Sequence, residues 1–228
     1  MLRVGGKVFS GIYEVLNGVY RFKTFVAGEW VTSREVSKVK SPITSTVIAE
    51  VPKLEWEQVD KALDRVYRVG RWQIRDTPGW RRLELLERLA DLMEQYREDL
   101  EWSLIVNGGK TRSQAAGEVD ASIDRLRRAD LDARKIFGEY APGDWDPTTV
   151  ETEAVIRREP YGVVLAIVPF NYPLFDTVSK FTYSVVAGNA VVVKPPSADP
   201  VPIILFAKLV EEAGFPRESF AVLTIPGA

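Results

Sequence analysis

The spacing of apolar positions changes along this chain, and the changes mark out its elements. Residues 162–168, GVVLAIV, form a nearly unbroken apolar run rich in β-branched side chains. That is the pattern of a strand covered on both faces, and so of a central one. Pro169 ends the run, Asn171 sits in the turn, and Pro173 takes a first helical position, where a missing N–H costs nothing. The spacing then predicts a helix over 174–186, closed by Gly188-Asn189 as a left-handed cap, and a second apolar strand over 190–193. Strand, helix and strand within so few residues require a right-handed crossover between parallel strands. A helix over 200–213, stopped at Gly214-Phe215-Pro216, and a third parallel strand over 220–225 extend the unit.

Upstream the periods are mixed. Residues 1–24 carry Gly5-Gly6 and Asn17-Gly18 among alternating apolar positions, which fits a frayed arm or a hairpin. Short strands are predicted over 25–30, 36–39 and 46–51. Helices follow at 54–70, with Val59, Leu63, Val66 and Tyr67 on one stripe, and at 80–97, 99–106 and 118–137. Residues 140–146 read as a loop, and 150–158 alternate like an exposed strand. The chain thus divides into 1–24, 25–139, 140–159 and 160–228, an α/β organisation with a helical layer ahead of a partial, Rossmann-like parallel sheet.

Composition narrows the chemistry. The net charge of −2 and the scattered basic residues give no nucleic-acid footprint. Proline, glycine or charge interrupts every apolar segment before membrane-spanning length, and no signal-peptide pattern opens the chain, so a cytoplasmic protein is expected. Cysteine and histidine are both absent from the 228 residues. The chain therefore offers no disulfide, no thiolate nucleophile, no imidazole base and no Cys/His metal cluster. Gly108-Gly109-Lys110-Thr111 invites comparison with a phosphate loop, but the earlier glycine position is Leu104 and no strand precedes it.

Ligands of open parallel sheets bind at the carboxyl ends of the strands, here Pro169-Phe170-Asn171 and Lys194-Pro195-Pro196-Ser197. Asn171 and Lys194 are thereby brought to one edge. An amide there can donate to a developing oxyanion, and a lysine can hold a ribose hydroxyl or a phosphate. Equally open on spacing alone is that Asn171 only caps the helix and Lys194 is a solvated strand end.

PFNYP, the lysine later in the following helix, AGNAVVVKPP and EEAGFP resemble, in order and spacing, the cofactor-domain core of the aldehyde dehydrogenase superfamily. Tyr172 after the asparagine, and IRREP before it, look most like the non-phosphorylating, NADP-dependent glyceraldehyde-3-phosphate dehydrogenase branch, archaeal type. The resemblance runs from Phe25 onward and covers only the amino-terminal half of such enzymes. It implies that Asn171 is the oxyanion donor, that Lys180 lies near the active site, and that Lys194 holds the adenosine ribose. Val168, Pro169, Phe170 and Pro195 would line the same cofactor, NADP or NAD. Ser197 stands where NAD-preferring members carry a glutamate, which leaves room for a 2′-phosphate and favours NADP.

Tyr172 matches a tyrosine that contacts substrate phosphate, although an aromatic buried at the helix start reads as well from sequence. The branch's phosphate-gripping arginine aligns with Ala121, so Arg125, one turn on, is the candidate replacement. Residues 140–159 resemble the β arm through which family members oligomerise, so a homo-oligomer is expected. The family's cysteine and general-base glutamate would lie beyond this sequence. The chain alone is accordingly expected to be inactive, and to need a complementing carboxyl-terminal half before it can oxidise a small aldehyde. The alternative is a non-catalytic relative that binds nucleotide or joins a full-length partner. A short-chain reductase is excluded, since there is no Gly-x-Gly-x-x-Gly and no Tyr-x-x-x-Lys pair.

Overall fold

The structure, a computed structural model, describes residues 2–226. Six strands come first: β1 Tyr13–Leu16, β2 Val19–Phe22, β3 Thr24–Val26, β4 Glu29–Val31, β5 Val36–Lys40 and β6 Val47–Pro52. Helices α1 Trp56–Arg65, α2 Arg71–Asp76, α3 Gly79–Gln95, α4 Arg97–Gly108, α5 Arg112–Arg127 and α6 Ala129–Ala133 follow. A two-stranded arm, β7 Glu139–Pro142 with β8 Glu153–Ile156, leads to β9 Val163–Ile167, α7 Pro173–Val186, β10 Ala190–Lys194, α8 Val201–Ala213 and β11 Phe220–Val222.

The main sheet has the order β4-β3-β11-β10-β9, with β9, β10 and β11 parallel and β3 antiparallel to β11. Helices α7 and α8 pack together on the sheet, and α3, α4 and α5 form a further layer against them. The core between is apolar and aromatic: Phe181 meets Phe206, Phe215 and Phe220 edge to face. The fold is α/β with a Rossmann-like parallel unit, as the sequence pattern implies. No helix among the described residues is long and apolar enough to cross a membrane.

Several expectations need correction. The run 162–168 is not central: β9 is an edge strand, and Leu165 and Ile167 are 60% and 65% exposed. The central strand is β10, whose Ala190, Val191, Val192 and Val193 are all buried. Composition cannot separate the two, because both runs are apolar and only the neighbours differ. The last strand is covered as well: Phe220, Ala221 and Val222 are buried, and β3 closes that side from some 195 residues away in sequence.

Of the two readings of residues 1–24, the hairpin forms. Asn17 and Gly18 turn it with positive φ of 52° and 78°. Leu2, Val4, Phe9 and Ile12 are buried, and Gly5 and Gly6 donate their backbone N–H groups to Asp99 at 2.6 and 3.1 Å. Residues 140–146 are not all loop, since Tyr140 to Pro142 pair with β8. The helix expected over 118–137 begins earlier, at Arg112, where Thr111 and Gln114 make a reciprocal cap, and breaks at Arg128. Leu63 and Tyr67 point outward: the buried face of α1 runs through Val59 and Ala62 to Val66, and a π turn at Val66–Gly70 carries it on to Gly70 and Ile74. Glycine is required there: a Cβ on Gly70 would stand 2.0 Å from the Glu218 carbonyl oxygen.

Candidate functional site

β9 and β10 pair residue for residue from Val163↔Ala190 to Ile167↔Lys194, and Val168 then donates its N–H to the Lys194 carbonyl at 3.1 Å. The chain therefore leaves both strands at one level. Pro169, Phe170, Asn171 and Tyr172 on one side and Ser197 on the other are exposed along a common rim. At the opposite end Asn189 fixes the register, accepting from Gly162 N–H at 2.8 Å.

Asn171 does not cap α7. Its side-chain amide has no hydrogen bond among the described residues, and the capping position is Tyr172, also without a side-chain bond. The Lys194 ammonium and the Ser197 hydroxyl are likewise free there. A small cleft lined by Ser37, Val51, Pro195, Pro196, Ser197, Thr224 and Ile225 opens where the chain leaves β10 and β11. Roomier clefts of about 460 and about 450 Å³ lie beside Trp102, away from the rim. An open rim rather than an enclosed cavity suits an extended ligand laid across strand ends.

The rim is braced from the α4–α5 connection, by residues that spacing did not reveal. Buried Asn107 donates to the Ala198 carbonyl at 2.9 Å and accepts from Val201 N–H at 3.1 Å, tying the loop after β10 to the start of α8. Lys110 donates to the Asn171 carbonyl at 2.6 Å, pairs with Glu118 at 3.0 Å and lies 4.3 Å from the centre of the Tyr172 ring. Glu118, fully buried, accepts from the N–H groups of Leu174 and Phe175 at 2.9 and 3.2 Å, supplying from a distance the cap that α7 lacks locally. The one signal in the sequence is the Gly-Gly-Lys-Thr turn, which follows helix α4 rather than a strand and carries the lysine of this brace.

Asp199 is buried beside this pair with both carboxyl oxygens unpartnered. Burial, reinforced by Glu118 and only partly offset by Lys110, holds it well above the usual carboxylate range. A carboxyl raised in the folded state binds its proton more tightly folded than unfolded. Its contribution to stability is complete below the unfolded value of 3.8 and is lost as pH rises through the folded value. Asp199→Asn should abolish that loss. In urea titrations from about pH 4 to about pH 9, the variant should gain on the parent as pH rises; parallel curves would mean that Asp199 is not a buried acid.

Lys180 is half-buried on α7, about 10 Å along the helix from Pro173, and pairs with Asp176 at 3.8 Å. Tyr172 is half-exposed rather than buried at the helix start. Arg125 does not join the rim, which corrects the expectation of a phosphate grip. Its guanidinium bonds Asp132 and the Tyr183 hydroxyl, the latter at 2.8 Å, so it is already neutralised. Tyr183 also lies about 15 Å down α7 from the Pro173 end, since α5 and α7 run parallel and Arg125 meets the later turns. Among the described residues no cluster of three or more acidic, histidine or cysteine side chains could hold a metal.

Residues 30–228 match the sequence pattern described as the Aldehyde dehydrogenase family. An NADP-dependent glyceraldehyde-3-phosphate dehydrogenase of Streptococcus equinus is 32% identical over 215 residues, covering 91% of this chain and 44% of its own. The crystal structure of an NADP-dependent glyceraldehyde-3-phosphate dehydrogenase from Bacillus halodurans, complexed with NADP, superposes with a TM-score of 0.85 at 31% identity, covering 90% of this chain and 44% of that one. An NAD-dependent benzaldehyde dehydrogenase from Corynebacterium glutamicum gives 0.82 at 29% identity, over 90% and 44%. The chain spans less than half the length of these relatives.

Proposed function

The chain belongs to the aldehyde dehydrogenase family, and from that membership we propose that it is the amino-terminal, dinucleotide-holding part of an NADP-linked aldehyde oxidation. The observation that carries this reading is the shared rim, with an amide at Asn171 and an ammonium at Lys194, both without partners among the described residues, on the ends of paired parallel strands. The residues present fit NADP. Lys194 can donate to ribose hydroxyls, Ser197 adds a small neutral hydroxyl, and the carboxyl of Asp199 nearby is buried rather than facing the rim. NADP, when bound, supplies the hydride acceptor.

The chain's own residues then have separable tasks. Pro169, Phe170 and Pro195 shape the floor on which the dinucleotide rests. Asn171 donates its amide N–H to the aldehyde oxygen as that oxygen gains negative charge. Lys180 presents a positive charge further along α7. The thiol that attacks the carbonyl is not among these 228 residues, which contain no cysteine. The purified chain alone should therefore not oxidise an aldehyde by a thiol route.

Glyceraldehyde 3-phosphate is the substrate we favour, on Tyr172, which follows Asn171, is half-exposed and has the Lys110 ammonium over its ring. A second reading, a nucleotide-binding relative that works by joining a partner, draws on the open edge of β9 with its exposed Leu165 and Ile167. The β7–β8 arm, exposed along its whole length, is the proposed contact between copies. Adding a chain that carries the catalytic half of a relative separates the two readings: activity appears only under the first.

The nucleotide assignment has a direct test. Ser197→Glu should lower the ratio of NADP to NAD affinity, measured by calorimetry on the chain, by at least about tenfold, because juxtaposed like charges repel. An unchanged ratio would remove Ser197 from the site.

A further inference from the structure

The turn from Pro169 to Tyr172 is exposed at every position and stands outside the sheet ladder. Among the described residues its backbone makes two hydrogen bonds. One is the Tyr172 carbonyl accepting from Asp176 N–H within the first turn of α7, and the other is the Asn171 carbonyl accepting from Lys110. Only the second reaches the peptide that carries the Asn171 side chain.

Lys110 is well suited to hold it. Its own backbone is pinned on both sides, by Gly109 in the left-handed conformation that ends α4 and by Thr111, the cap of α5. A Cβ on Gly109 would stand 2.7 Å from Pro42, so this corner cannot shift to admit another residue. From that fixed point the side chain, 12% exposed, reaches the Asn171 carbonyl, the Glu118 carboxylate and the face of the Tyr172 ring. An ammonium can direct its three N–H donors to separate targets, and its charge is balanced by Glu118 in a site largely shielded from water. Because Glu118 also holds the first two N–H groups of α7, the pair grips the turn at its exit as well as at Asn171.

We propose that Lys110 is a positioning residue, which fixes the Asn171–Tyr172 peptide and so aims the Asn171 amide and the Tyr172 ring at the reacting carbonyl and its substituent. This rests on the role proposed above for Asn171. Lys110 touches neither cofactor nor substrate in this scheme and acts through the turn.

The test uses the 228-residue chain labelled for NMR, with Lys110→Met and the double variant Lys110→Met/Glu118→Gln. The double variant leaves no unpaired buried charge and keeps a side-chain carbonyl for the α7 amides. In it, the Asn171 carbonyl resonance should move upfield, and backbone order parameters at Phe170, Asn171 and Tyr172 should fall from about 0.85 to below about 0.6. The Asn189 amide at the far end of the sheet should stay unchanged, and NADP should still bind saturably, since Lys194 and Ser197 are untouched. Order retained at Asn171 would overturn the proposal. So would loss of order that spreads to Asn189, because Lys110 would then be a general structural residue. Failure of the unsubstituted chain to bind NADP would instead contradict the proposed function, a separate result from either of these.

Discussion

Glu118→Ala should lower the unfolding free energy by about 3–5 kcal/mol, the range for breaking a buried ion pair by removing one partner. The side chain is fully buried: one oxygen accepts from the N–H groups of Leu174 and Phe175, and the other lies 3.0 Å from the Lys110 ammonium as its ion-pair partner. Alanine strands a largely shielded ammonium and leaves two amides at a helix start that has no local cap. Glu118→Gln keeps an acceptor for the two amides and should cost clearly less. Urea titrations of the three proteins measure this directly. A loss below about 1 kcal/mol for alanine would place the pair in the class of solvated surface bridges and would remove the brace beneath the rim.

Asn171→Ala should behave in the opposite way. Its side chain is exposed and makes no hydrogen bond among the described residues, so stability should change by less than about 0.5 kcal/mol. In an active assembly of the chain with the catalytic portion of a relative, turnover should nonetheless fall about 10²–10³-fold, the usual cost of one oxyanion donor. The pattern is informative because Glu118 reaches Asn171 indirectly, through Lys110 and through the start of α7: one substitution removes stability, the other removes rate. A destabilised Asn171→Ala protein, or one with unimpaired turnover, would contradict the division.

What the sequence made legible was local. Pro173 at a helix start, Gly188 at a helix end and the apolar runs on either side of α7 led to the strand-helix-strand unit within a residue or two. The placing of Asn171 and Lys194 on one rim followed from that unit alone. What could not be read depended on distant partners. Nothing in 162–168 tells that β9 ends up at an edge, because the pairing that closes the other side of the sheet joins residue 26 to residue 221. Arg125 carried a plausible charge at a plausible spacing, but Asp132 and Tyr183 had already taken it. Lys110, Glu118 and Asp199 lie 8, 81 and 89 residues apart along the chain, by their numbers, and meet only after folding. The π turn at Val66–Gly70 is of the same kind: it sets Gly70 against the Glu218 carbonyl, a partner some 150 residues later in the chain.

The central claim is that the carboxyl ends of β9 and β10 together hold a dinucleotide, and mapping NADP onto the labelled chain by amide chemical-shift titration addresses it most directly. Saturable shifts concentrated at Val168 to Asn171 and Lys194 to Ser197, and abolished by Lys194→Met, are the predicted result. Saturable shifts gathered instead around Gly162 and Asn189 at the other end of the same strands, or beside Trp102, would contradict it, as would no binding at all.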